Sequence, residues 1–177
     1  MSPVIEICIF PSSEGYRSDR ILLDKAVVDA KGLLLSVILW GRFIACYLVI
    51  GWESLQHHQN LRDDKTLYGR LREGLKDCFS GPVHEVFHIQ PQPDLDISPP
   101  PPPSLSAPVT ELAFIVPKDS TPDEVARNKS SLVGLMNELV KVTSETPGST
   151  SKGLWGASVD RKQENIVFMG GWQSAEI

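Results

Sequence analysis

The spacing of apolar and polar positions predicts most of the elements of this chain. Residues 4–10 form a β-branched and aromatic run closed by Pro11, which reads as a strand. Ser18 and Asp19 can cap a helix reaching about residue 36, with Ile21, Leu22, Lys25, Ala26, Val28 and Leu33 stepping round one side. Residues 37–40 and 43–50 read as two strands joined very tightly, with Gly41 expected in the left-handed conformation. Ser54 can cap the next helix, which should break near Arg62-Asp63-Asp64. Leu67, Leu71, Leu75 and Cys78 then recur at helical spacing, and Gly81-Pro82 ends that stretch before a short strand over 83–89. The order is βαββαβ, a split βαβ or ferredoxin-like unit.

The pattern restarts after a break. Residues 91–108 carry eight of the fourteen prolines, five of them consecutive from Pro99 to Pro103, and read as a semi-rigid polyproline spacer. Beyond it, Val109-Thr110-Glu111-Leu112-Ala113-Phe114-Ile115-Val116-Pro117 parallels Val4-Ile5-Glu6-Ile7-Cys8-Ile9-Phe10-Pro11. Leu154-Trp155-Gly156 parallels Leu39-Trp40-Gly41, and Met169-Gly170-Gly171-Trp172-Gln173-Ser174 parallels Val49-Ile50-Gly51-Trp52-Glu53-Ser54. Three landmarks in one order imply an internal duplication. In the second copy, Thr121-Pro122-Asp123-Glu124 is a capping box, and Val125, Leu132, Leu135, Met136, Leu139 and Val142 continue an apolar face. Pro147-Gly148 ends that helix, residues 153–159 and 165–171 are strands, and residues 160–164 are the polar tip between them. The chain therefore reads as α+β, with a first repeat over 1–90, a proline-rich linker over 91–108 and a second, incomplete repeat over 109–177.

Composition narrows the function classes without choosing one. The 177 residues are 41% hydrophobic and 22% charged, an ordinary globular balance. With 17 basic and 22 acidic residues, a net charge of −5 and no basic run, nucleic acid is not the expected partner. Cys8, Cys46 and Cys78 show no metal-ligand spacing and sit in apolar runs, so they read as buried free thiols. With no basic, apolar leader at the start, the expected compartment is the cytoplasm. Residues 32–51 are long enough to span a bilayer, but Arg42 sits at their centre at a cost of ~2.5–3.5 kcal/mol, so strands are the expected reading.

Gly51-Trp52-Glu53-Ser54 followed by His58, together with the Tyr68-x-x-Leu71 helix and the His-bearing strand over 83–89, resembles the dimeric α/β-barrel superfamily. Within it, the sequence is most similar to antibiotic-biosynthesis-monooxygenase-like proteins of the tandem, fungal type, over nearly everything except the spacer. The resemblance implies two ferredoxin-like units forming a dimeric α/β-barrel-like pseudo-dimer around a small apolar or aromatic ligand. It implies a cofactor-independent tailoring protein of secondary-metabolite (polyketide or aromatic) biosynthesis, monooxygenase-, cyclase- or isomerase-like. The alternative within the same fold is a non-catalytic ligand-binding or stress-response protein, since fold does not select chemistry. The residue matching His58 in the second copy would fall one position beyond Ile177. The expectation is therefore either a truncated product or a barrel closed by a second chain as a homodimer.

Candidate chemistry rests on few residues. His58, at a helix start, is a candidate general base. His84 and His88, four apart on one strand, should share a face and are further candidate bases. The three could in principle form a metal triad, but no fixed motif supports one and no metal or cofactor is expected. Trp40, Trp52, Trp155 and Trp172 occupy repeat-equivalent positions and are candidate pocket walls, although core is the commoner fate of such residues. Glu6 and Glu111 are also equivalent, and alternation makes solvent exposure their simplest reading. The phosphate-loop, dinucleotide, serine-hydrolase and zincin motifs are absent.

Overall fold

The computed structural model describes residues 2–19, 36–40, 45–92, 103–116, 122–160 and 165–175, the side chains of 36–40, 45 and 122–130 excepted. The chain divides into two compact units, one of Met1–Gln90 with Ile97–Pro101 and one of Pro91–Asp96 with Pro102–Ile177. Both mix helices with antiparallel strands, so the fold is α+β.

In the first unit, β1 (Val4–Pro11), β2 (Ser36–Trp40), β3 (Ala45–Trp52) and β4 (Glu85–Pro91) lie in the order β2-β3-β1-β4, every neighbour antiparallel. That is the ferredoxin-like order, with the first and third strands in the middle. β1 is buried on both faces over most of its length, as the continuous apolar run requires. A short helix α1 (Glu14–Ser18) follows it, capped by the Ser13 side chain. The long helix expected up to residue 36, and the turn at Gly41, lie outside the described residues.

After β3 the chain enters α2 (Leu55–Asp63) and α3 (Lys65–Leu75). The Ser54 hydroxyl accepts from His57 N at 3.1 Å and starts α2. Asp64 ends that helix and caps the next, accepting from Thr66 N at 3.0 Å and Leu67 N at 2.9 Å, so the break falls where the charged triplet predicts it. The leucine spacing on α3 has the expected consequence. Leu67, Leu71, Leu75 and Cys78 pack with Leu61 of α2 against Val4, Cys8, Phe10, Leu48, Ile50 and Trp52. The last strand starts two residues later than its sequence suggests, because residues 82–84 carry no strand and β4 begins at Glu85.

The second unit contains β5 (Val109–Ile115), α4 (Pro122–Glu145), β6 (Leu154–Ser158) and β7 (Ile166–Trp172), with strand order β6-β7-β5. Met136 and Val140 of α4 pack on Trp155, Ile166 and Phe168 with Leu132 and Leu139 beside them, whereas Leu135 and Val142, expected on the same face, are exposed. Gly148, at φ 88°, turns the chain after the helix. The capping residue Thr121, the hairpin tip at 161–164 and the consecutive prolines 99–102 lie outside the described residues. Pro103–Leu105 forms a single 3-10 turn in which Ser104 and Leu105 are buried. Among the described residues no helix is long and apolar enough to cross a membrane, and residues 36–40 and 45–52 of the apolar stretch are strands.

Candidate functional site

Strand register in the first unit builds a polar cluster inside an apolar layer. Glu6 on β1 pairs with His88 on β4 and with Ile50 on β3, so Glu6 and His88 stand side by side on one face. Trp52 lies two residues beyond Ile50 on β3, diagonal to Glu6, and its Nε1 donates to Glu6 Oε2 at 2.7 Å. His58, in the first turns of α2, brings its ring over the same spot. Its Nδ1 is 2.6 Å from His88 Nε2 and 3.5 Å from Glu6 Oε2. Its ring stacks on Trp52 with centroids 4.5 Å apart and planes 13° apart. The ligating atoms of Glu6, His58 and His88 all lie within 4.8 Å of one another, and all three residues are buried. Which of the two imidazoles holds the proton between them follows from the tautomer, the contact serving either direction.

The burial of Glu6 corrects the expectation that it faces solvent. It is 7% exposed, and alternation fails here because both faces of β1 are covered. The carboxylate is tolerable there because an indole N–H and an imidazole nitrogen reach it. The signal available beforehand was the double equivalence of Glu6 with Glu111 and Trp52 with Trp172. In the second unit Trp172 Nε1 donates to Glu111 Oε2 at 3.0 Å, the same contact in the same register, with Val109 opposite Trp172 as Val4 is opposite Trp52.

A cavity of about 390 Å³ opens beside the cluster within the first unit. Glu6, Cys8, Trp52 and His58 form its buried polar end, while Leu48, Ile50, Leu71, Leu75 and Phe79 make its apolar wall. Exposed Arg72, Lys76, Val83 and Val86 surround its mouth. Lys76 is paired with Glu73, which holds its ammonium above the usual lysine range by hydrogen bond and charge. This size and lining suit a small, largely apolar ligand with a few polar atoms at one end.

The other sequence candidates fall elsewhere. His84 is exposed, ahead of β4 rather than on it, and its backbone N–H donates to Ile9 O at 2.8 Å. The shared face predicted for His84 and His88 therefore does not form. Trp155 and Trp172 belong to the second unit, where Trp155 Nε1 donates to Asn137 Oδ1 at 3.1 Å. The Trp40 side chain lies outside the described residues. Glu6 is the site residue that spacing alone failed to single out.

The three cysteines are free and buried, as expected. Burial, and secondarily the charge of Glu6, push the Cys8 thiol up to about 12, and burial with Asp77 and Cys46 raises Cys78. Unfolded thiols ionise near ~8.5–9, so between about pH 9 and 12 the unfolded chain releases protons that the folded chain keeps. Stability is full below that window and falls through it by up to ~1.4 kcal/mol per pH unit from Cys8 alone. Urea midpoints at pH 8 and pH 10.5 should show this loss, with a shallower fall in Cys8→Ala. All three thiols should react with a disulfide reagent at pH 8 only after denaturation; fast reaction of the native chain would contradict their burial.

No protein-family model matches the sequence, and no curated protein matches it. Solved structures do share its fold. A proposed monooxygenase from Lactobacillus acidophilus superposes with a TM-score of 0.56 at 16% identity, over 99% of this chain and 79% of its own. A proposed monooxygenase from Fusobacterium nucleatum superposes with a TM-score of 0.54 at 12% identity, over 99% of this chain and 77% of its own. A proposed antibiotic biosynthesis monooxygenase from Bordetella bronchiseptica matches 51% of this chain and 97% of its own at 22% identity, with a TM-score of 0.41. At such identities the likeness is one of fold, here the mixed α+β, ferredoxin-type architecture of those proteins.

Proposed function

We propose that this chain is a tailoring protein of the antibiotic-biosynthesis-monooxygenase-like kind, acting on an apolar aromatic or polyketide-like small molecule without a prosthetic group. The observation that carries this reading is the buried Glu6–His58–His88 cluster, of which Glu6 and His58 line a largely apolar cavity. The names of the two structures that superpose along the whole chain point the same way. The equivalent Glu–Trp contacts of the two units support an internal repeat.

In this reading His58 is the base. Its Nδ1 is engaged with His88 and Glu6, so proton exchange with the ligand passes through Nε2. The carboxylate of Glu6 offsets the positive charge that develops on the imidazole when the proton arrives, and Trp52 holds both groups in place. An O–H or C–H bond of the ligand breaks, its electron pair stays on the ligand as phenolate or carbanion, and the apolar wall shields that anion from water. Cyclisation or isomerisation needs only that this proton be returned elsewhere. Oxygenation of a ring CH₂ to a carbonyl also consumes dioxygen, one atom entering the ligand and the other leaving as water with both hydrogens.

Thermal denaturation with and without an anthrone tests the cavity. Ligand at ~100 times its Kd should add ~2.7 kcal/mol of stability, and Leu71→Trp, which fills the cavity, should abolish the effect. No stabilisation by any hydroxylated aromatic would overturn the reading. Tight binding without conversion would make the chain a ligand-binding protein instead.

A further inference from the structure

The geometry points to a divalent transition-metal site made of Glu6 Oε, His58 Nδ1 and His88 Nε2, a two-histidine, one-carboxylate set opening onto the first unit's cavity. This goes beyond the proton-transfer reading and does not depend on it, since it concerns three side chains and not the ligand. Four observations converge on it.

The donor types are right. Two imidazoles and a carboxylate are the ligand set that holds zinc or iron where further coordination positions stay open for a reactant. The spacing is right as well. Metal–nitrogen and metal–oxygen bonds of ~2.0–2.2 Å place neighbouring donors about 2.9–3.4 Å apart. His58 Nδ1 stands 2.6 Å from His88 Nε2 and 3.5 Å from Glu6 Oε2, and the three donors all lie within 4.8 Å of one another, so side-chain rotations on the order of an ångström bring them to one cation. The supporting shell is present, since Trp52 Nε1 holds the carboxylate at 2.7 Å and the stacked indole fixes the His58 ring. There is also an entry path, because Glu6 and His58 both line the cavity, which leaves the cation's remaining positions facing a ligand.

The charge argument agrees. A carboxylate buried to 7% exposure gains more from a dication than from an imidazole sharing one proton. Binding displaces the proton shared by the two imidazoles, which leaves to solvent as the metal–nitrogen bonds form. The proton-shared and metal-loaded cluster are therefore alternative occupancies of the same nitrogens.

The test is cobalt(II) titration of the untagged full chain after chelator dialysis, read by its visible absorption and by calorimetry. One equivalent per chain should bind, with a nitrogen/oxygen-type spectrum and no thiolate charge-transfer band. Glu6→Gln keeps an oxygen to accept from Trp52 but is a poor ligand, and His88→Gln removes a nitrogen. Each should weaken binding by ~100-fold or more, given that outer-shell changes alone cost ~10–100-fold. His57→Ala and His84→Ala, which alter the other two histidines, should leave it within twofold. No binding at millimolar cobalt would overturn the proposal and leave a proton relay. Loss in His57→Ala or His84→Ala, retention in both site variants, or a thiolate band from Cys8 would overturn it too. The wild-type spectrum decides even if a variant fails to fold.

Discussion

Replacing Trp52 by alanine should cost about 3–5 kcal/mol, a large part of the ~5–15 kcal/mol that holds a domain folded. Trp52 is 1% exposed and among the largest fully buried side chains of the chain. It ends β3 opposite Val4, so its indole lies over the first strand within the layer formed by Phe10, Ile50, Leu61 and Leu75. Truncation opens a void there that a sheet fixed by its backbone ladder cannot collapse around. Two further losses add to the void. Glu6 loses a donor at 2.7 Å, and His58 loses the face on which it stacks. Trp52→Phe separates these contributions, because phenylalanine keeps most of the apolar area and lacks the N–H. It should cost ~1–3 kcal/mol, the usual penalty for leaving a buried acceptor short of a partner. Urea denaturation followed by circular dichroism should therefore rank wild type above Trp52→Phe above Trp52→Ala. A Trp52→Ala chain within 0.5 kcal/mol of wild type, about the scatter of surface substitutions, would mean that the indole carries neither packing nor the carboxylate.

The second large effect is on turnover. In the proposed reading His58→Ala should lower the rate on an anthrone-type ligand by ~10²–10⁴, the range that a positioned base supplies. Ligand affinity should change less than tenfold, because most of the cavity's lining is apolar or aromatic and His58 is its one imidazole among the described residues. The fall should appear in kcat and not in KM, and steady-state kinetics with the ligand or dioxygen followed directly separates the two. His84→Ala is the contrasting variant, since that residue is exposed ahead of β4 and lies outside the cluster, and it should stay within twofold. Equal activity of His58→Ala and wild type would remove the base from the mechanism.

Local physics made much of the first unit legible. A β-branched run ended by Pro11 could hardly be anything but a strand, and β1 is one. Leucines at intervals of four mark α3, and Ser54 and Asp64 can satisfy the first N–H groups of a helix wherever they stand. These features depend on neighbours within a few residues, so the sequence alone determined them. His58 was also within reach, as a polar residue on a helix start beside a tryptophan landmark.

The site itself was not. Glu6 and His88 are 82 positions apart, and their meeting depends on the β1–β4 register, which a one-residue slip would turn to opposite faces. Periodicity shows which residues share a face but not which face the helices cover, so Glu6 read as exposed. The same limit merged His84 with His88, although the strand begins between them at Glu85 and only His88 is carried into the core. Tertiary structure decided these points because burial of a charged group is set by what packs over it, and that comes from residues distant in sequence.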